Sequence, residues 1–402
     1  MMRVGIDYTP AIRQGAGVGR HTRSLVGELL EKAPANTEFV LFYAGGGLTH
    51  QQQNYLYTLE ARHLPNVDFV RLPFSEPSLT RFWQRLRIPV PLEWVARMDN
   101  PFPYPNKLGK LDVLHFPDFV RTPHRFGKDI VTIHDLSFLV VPECAEDGLR
   151  RYLTAAVPRS VRKADRVIVV SESIKRELIE RLNVPPGKIS VVYNGVGPQF
   201  KPITDREMLE ETRMRLGLPD QFALFVSTIE PRKNIARLVE AWAQVKATPE
   251  GKERKLVLAG RRGWLYEPIF RRITELKMQD EVVWLDFVPD ADLPALYNLA
   301  DLFVFPSLYE GFGIPPLEAM ACGTPVITAN NSAFPEVFEG AALLADALDV
   351  RAIADLIVTV FRSHDGDKRL VTDMRTIGLE RAKQFTWERA AATTLKIYQE
   401  LA

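Results

Sequence analysis

Short apolar runs separated by segments of helical period constrain this chain more than any other feature. The runs at residues 4–6, 39–42, 113–116, 130–133, 167–170 and 189–192 are each three or four residues long, and helix-like stretches such as 19–32 and 173–182 lie between several of them. A buried parallel strand reads as a continuous apolar run, and strands alternating with helices form βαβ units. A second series follows at 222–226, 256–259, 282–285, 302–305 and 325–327, with helical segments at 235–246 and 293–299. The prediction is an α/β protein of two doubly wound, Rossmann-like domains, with no sequence repetition between them.

The 402 residues suffice for two hydrophobic cores. Turn residues crowd Asn194-Gly195-Val196-Gly197-Pro198-Gln199-Phe200-Lys201-Pro202, which reads as the linker. The boundaries are placed at 1–198, 199–384 and 385–402. A capping box, Thr204-x-x-Glu207, is expected to open the next helix. In the last segment Trp387, Ala390, Ala391, Thr394, Leu395 and Tyr398 recur at helical spacing and make one largely apolar face.

Charge and cysteine usage remove several function classes. With 51 basic and 50 acidic residues the net charge is +1, so nucleic acid is not an expected partner. Cys144 and Cys322 lie far apart without CxxC spacing, which indicates neither a disulfide framework nor a zinc site. The start, Met1-Met2-Arg3-Val4-Gly5-Ile6-Asp7, enters a strand-like run without a signal-peptide core, and no apolar run approaches the roughly 18 residues that span a bilayer. A cytoplasmic protein is expected, with peripheral contact at an anionic membrane face left open. The basis for that contact is residues 81–97, which interleave four arginines and two tryptophans with one acid; a packed loop with solvated arginines is the alternative, because Pro89 and Pro91 interrupt any long amphipathic helix.

Candidate site residues fall at the carboxyl ends of predicted strands, where open α/β sheets bind ligands. After the run 302–305 comes Pro306-Ser307-Leu308-Tyr309-Glu310-Gly311-Phe312-Gly313-Ile314-Pro315-Pro316-Leu317-Glu318. This order reads as strand, sharp turn, then a helix opened by proline. Its two carboxylates, Glu310 and Glu318, suit polyol hydroxyls, and its glycines let the backbone approach a ligand. Glu230-Pro231-Arg232-Lys233-Asn234 follows the run 222–226 and is read as two cations at a helix N-terminus, an arrangement that asks for an anion such as pyrophosphate. Arg261 and Arg262 follow 256–259 and are weaker candidates for the same anion.

Thr132-Ile133-His134-Asp135 ends another strand, with His134 as proton carrier or hydrogen-bond donor. Gly15-Ala16-Gly17-Val18-Gly19 precedes a helix and lines either a ligand or a plain turn. A dinucleotide fingerprint would need glycine where Arg20 stands, so a nicotinamide enzyme is disfavoured. Asp290-x-Asp292 precedes a helix and is read as an N-cap, not as a metal site.

Together, Glu310-Gly-Phe-Gly-Ile-Pro-Pro-Leu-Glu318, Glu-Pro-Arg232-Lys233-Asn, Tyr193-Asn194-Gly195-Val196, His134-Asp135 and the glycine loop resemble, in order and spacing, the retaining glycosyltransferases of the GT-B fold, family 4, also called glycosyl transferases group 1. The resemblance covers essentially the whole chain. It implies two Rossmann-like domains facing across a cleft and closing on the donor, with the terminal helix crossing back to the first. It also implies transfer of a hexose from a nucleoside diphosphate sugar to a glycan or lipid-linked glycan, without a metal and with no cofactor beyond the donor.

By the same resemblance Arg232 and Lys233 clamp the pyrophosphate, Glu318 holds the ribose, and Glu310 with Gly311, Phe312 and Gly313 holds the sugar. Gly17, Thr228, Arg262, Val288 and Ile314 line the donor, and His134 meets the transferred sugar. His134, Glu310, Arg232 and Lys233 are the implied catalytic set. Many members carry Gly-Arg where this chain has Ser227-Thr228, which leaves Arg232 or Arg262 as the second phosphate cation.

The wording around Arg232 looks most like mannosyltransferases of surface polysaccharide assembly, pointing to GDP-mannose. A UDP-glucose donor, a sugar-nucleotide epimerase, a phosphorylase and a non-catalytic sugar-binding subunit are the alternatives.

Overall fold

A computed structural model describes residues 1–15, 17–62, 64–85, 88–98 and 108–402. Ala16 of the glycine loop and Leu86 and Arg87 of the basic aromatic stretch lie outside the described residues, as does the Arg85 side chain. The chain divides into one unit of residues 1–135, 151–194 and 387–402 and another of residues 136–150 and 195–386. The contiguous division expected from sequence differs from this in that residues 136–150 go with the second unit, as do residues 195–198 and 385–386 at its two boundaries.

The first unit holds seven parallel strands: β1 (Met2–Asp7), β2 (Thr37–Ala44), β3 (Val67–Leu72), β4 (Val113–Phe116), β5 (Lys128–Ile133), β6 (Arg166–Val169) and β7 (Ile189–Val191). Their order is β3-β2-β1-β4-β5-β6-β7. The second unit holds six: β8 (Phe222–Val226), β9 (Lys255–Ala259), β10 (Val282–Leu285), β11 (Leu302–Phe305), β12 (Val326–Ala329) and β13 (Leu343–Ala345), in the order β10-β9-β8-β11-β12-β13. Both orders are doubly wound, with a switch point between β1 and β4 and another between β8 and β11. The central strands are apolar throughout because helices cover both faces: Phe222 to Phe225 and Leu302 to Phe305 are fully buried.

The helix Trp387–Leu401 belongs to the first unit. Its apolar face carries a polar anchor, because Tyr398 Oη lies 2.7 Å from His115 Nδ1 while His115 Nε2 lies 2.7 Å from Thr132 Oγ1. Both ring nitrogens are thus satisfied in an otherwise apolar core. Burial, reinforced by the nearby His134, drives the His115 imidazole down to about 3. Unfolded, the ring takes up a proton near pH 6.5, about the ordinary value for histidine. The stability this ring contributes is therefore full above 6.5 and lost as pH falls toward 3, by up to about 1.4 kcal/mol per pH unit. In denaturant titrations, the stability gap between wild type and His115→Gln should narrow by about 2 kcal/mol between pH 7.5 and 5. A gap that does not change with pH would show that the ring is not held neutral.

Two local expectations are corrected. The helix after the 194–202 segment is Arg206–Leu216, capped not by Thr204 but by Asp205, whose carboxylate accepts from Met208 N at 3.0 Å. Asp292 occupies the N-cap position of Leu293–Leu299 but caps nothing, since Arg215 takes both its oxygens at 2.8 Å. A bidentate guanidinium outcompetes the backbone N–H here. The 194–202 segment, read as the linker, does hold a boundary between the units, after Asn194, and its residues in the second unit are packed: Val196 N donates to Phe385 O, and Phe200 is buried against Tyr297.

Within residues 81–97, Trp83 is buried and donates to Val90 O, whereas Trp94 is exposed with Arg125 over its ring. Among the described residues no helix is long and apolar enough to cross a membrane.

Candidate anion site at the switch point of the second unit

The turns that follow β8 and β11 flank the second switch point, and three contacts lock them together. Leu308 N donates to Arg232 O at 2.9 Å. Asn234, in the left-handed region at φ 61°, donates its amide to Pro306 O at 2.9 Å and Ala347 O at 2.6 Å, while its Oδ1 accepts from Arg237 Nη1 at 3.0 Å. Asparagine tolerates this backbone conformation better than most side chains. Arg232 Nη1 donates to Tyr309 O at 2.9 Å.

This locking brings Lys233 and Glu310, 77 residues apart in sequence, to 2.5 Å between Nζ and Oε1. The other oxygen of Glu310 lies 3.0 Å from Arg232 Nη1, and Arg232 Nη2 lies 2.9 Å from Glu230 Oε1. Lys233 also stands 5.2 Å above the Phe305 ring. Glu310 is only 9% exposed. Burial pushes its carboxyl up, but Arg232 and Lys233 outweigh that and hold it below the usual range. The carboxylate is therefore ionised.

The cation pair differs from the sequence expectation in placement and in partner. Arg232 and Lys233 sit in a single 3-10 turn, Pro231–Lys233, ahead of the helix Ile235–Lys246. They face carboxylates of this chain, Glu230 and Glu310.

On the β11 side, Gly313 takes φ 105° directly before the helix Ile314–Ala321, which carries proline in its first turn. Phe312 is buried against Phe385. Glu318, 1% exposed, accepts from Tyr297 Oη at 3.0 Å. Ser332, at φ 50°, accepts from Glu310 N at 3.0 Å. Tyr297 and Ser332 escaped the sequence reading. The only signal for Ser332 was the turn-rich Asn330-Asn331-Ser332 after an apolar run, and a tyrosine within an apolar helix gives none.

Of the remaining candidates, Thr228 lies in the turn after β8 and the Arg261–Gly263 segment pairs with that turn, Ile229 N donating to Arg261 O at 2.9 Å and Gly263 N to Ile229 O at 3.0 Å. Arg262 packs over the rings of Tyr266, Phe270 and Trp284 at 5.2, 4.9 and 4.4 Å, a cation–π cage, and Arg261 over Phe287 at 4.3 Å. Thr228 is half-buried after β8, and Val288 is buried after β10. No group of three metal-ligating side chains occurs among the described residues.

In the first unit, Gly17 precedes the helix Val18–Lys32 at φ 56°. That helix carries His21, whose Nδ1 lies 2.8 Å from Asn194 Oδ1. His134 directly follows β5, its Nε2 lies 2.6 Å from Pro117 O, and its ring packs edge-on against His21. A carbonyl only accepts, so His134 carries its proton on Nε2. Burial keeps the ring below its ordinary pKa, and hence neutral at pH 7.

Two doubly wound units, one with Arg232 and Lys233 paired to Glu230 and Glu310 beside its switch point, make this an α/β protein of the class that binds ligands at the carboxyl ends of its strands. Residues 15–200 match the model described as Glycosyltransferase Family 4, and residues 210–375 match Glycosyl transferases group 1. The chain is 32% identical over 387 residues to the O-antigen chain mannosyltransferase B of Escherichia coli, covering 96% of each chain.

Solved structures of the same fold include a sucrose-phosphate synthase from Thermosynechococcus elongatus (TM-score 0.74, 21% identity, covering 100% of this chain and 99% of that one). Anabaena HepE in complex with UDP and glucose is another (TM-score 0.70, 17% identity, 100% of each). The chain belongs to glycosyltransferase family 4, has the GT-B fold and is a glycosyltransferase.

Proposed function

We propose that the protein transfers a hexose, mannose from GDP-mannose, to a glycan or lipid-linked glycan, with retention at the anomeric carbon and without a metal. The observation that carries this reading is the Arg232–Lys233 pair at the switch point with Glu310 against it. Two cations within reach of one place suit a diphosphate, and they favour its departure most as negative charge collects on it. Arg232 is the second phosphate cation, in the role that the residue at Thr228 cannot fill. The similarity to a protein named for mannosyl transfer favours mannose, and a UDP-glucose donor is the second reading, favoured by the UDP and glucose in the structural relative.

In the proposed step the bond from the anomeric carbon to the diphosphate oxygen breaks, its electron pair leaving with the diphosphate. The acceptor hydroxyl bonds to the same face, and its proton passes to the departing diphosphate. Acceptor binding is assigned to the first unit, whose His134 meets the transferred sugar and whose Gly17 turn lines the donor. Glu318 is assigned to the ribose and the Glu310 turn, including Ile314, to the sugar.

Calorimetry against GDP, UDP, GDP-mannose and UDP-glucose tests the donor. Glu318→Ala should weaken the preferred free nucleoside diphosphate about tenfold or more, the scale of a charged hydrogen bond. Unchanged affinity would remove Glu318 from the nucleotide.

A further inference from the structure

Arg232, Lys233, Glu230 and Glu310 form a closed quartet whose formal charges cancel, and each oxygen of Glu310 has its own cation: Lys233 Nζ at 2.5 Å and Arg232 Nη1 at 3.0 Å. An incoming diphosphate would meet no net charge here, and its oxygens would compete for the same N–H groups. In a buried site two anions cannot share one cation pair without strong repulsion. The arrangement on either side allows one of them to leave. Arg232 keeps its bonds to Glu230 Oε1 and Tyr309 O whatever Glu310 does. The backbone of Glu310 stays tied to Ser332 Oγ, so the side chain alone can turn. With Glu310 turned aside, the other three groups carry a net charge of +1.

We propose that Glu310 is a resident counter-ion that only a sugar-bearing diphosphate displaces at no loss. The diphosphate takes Arg232 and Lys233, and hydroxyls of the sugar replace the bonds that the Glu310 carboxylate gives up. A free nucleoside diphosphate brings the same anion but nothing for Glu310. Once the sugar has been transferred, Glu310 returns to its cations and expels the product. The carboxylate thereby sets the preference for donor over product. This inference rests on the reading of the site as one for a nucleoside diphosphate sugar.

The test is calorimetric titration of wild type and Glu310→Gln with GDP, UDP and their sugar donors. Glutamine keeps the shape and removes the charge. It should bind the free nucleoside diphosphate about tenfold tighter than wild type does, and the sugar donor no tighter. Product inhibition should deepen in parallel. Should the glutamine variant fold poorly, Glu310→Asp serves: its shorter carboxylate reaches one cation at a time, and an intermediate tightening is expected. Equal or weaker binding of the free diphosphate by a folded variant, with normal binding by wild type, overturns the inference alone. No nucleoside diphosphate binding by wild type overturns the functional reading, and the inference with it.

Discussion

Lys233→Ala is expected to lower kcat/KM for sugar transfer by about 100-fold, the scale of losing one preorganised donor to a charge that develops in the transition state. The ammonium is buried, stands above Phe305 and contacts Glu310 at 2.5 Å. Its removal deletes half of the proposed clamp and leaves Glu310 with Arg232 alone. Both changes weaken stabilisation of the departing diphosphate, and the loss should appear mainly in kcat, because the charge on that group is largest as the bond breaks. Lys233→Arg should recover little, since a planar fork does not replace a compact ammonium in a closed space. Nucleoside diphosphate release under single-turnover conditions measures the effect. Activity within threefold of wild type would remove Lys233 from the clamp.

Gly313→Ala should cost on the order of 2 to 5 kcal/mol of stability in the second unit, by adding the cost of a sparsely populated backbone conformation to that of overpacking. The residue takes φ 105°, and a Cβ there would lie 2.8 Å from the Phe334 ring and 2.9 Å from that of Phe338. Both rings are fully buried and in contact with each other, so they have little room to yield. The strain would fall on the turn that delivers Glu310, so donor binding should weaken even at temperatures where the variant is folded. Denaturant unfolding together with donor titration checks both. A variant as stable as wild type would mean that the turn relaxes without cost.

Much of the fold was legible because buried parallel strands announce themselves as short apolar runs. Eleven strands were read this way. The two others give a weaker signal: in β3, Val-Asp-Phe-Val-Arg-Leu at the sheet edge, Asp68 and Arg71 break up the apolar run, and β13 is a three-residue edge strand, Leu-Leu-Ala. The cap at Asp205 was misplaced by one residue because two capping side chains stand side by side and only the backbone geometry selects between them. Sequence could place Arg262 after a strand but could not show that its guanidinium packs over the faces of Tyr266, Phe270 and Trp284.

By itself the sequence determined two doubly wound units, the turns after their strands and the side chains that those turns carry, since these follow from local periodicity and from where glycine and proline stand. Only the tertiary structure decided that β8 and β11 are neighbours, and hence that Arg232 and Lys233 meet Glu310. Sheet order is set by which faces bury together across the whole unit, so a contact spanning 77 residues leaves no local trace. The sequence read the cations as waiting for an anion; the fold supplies one from the chain.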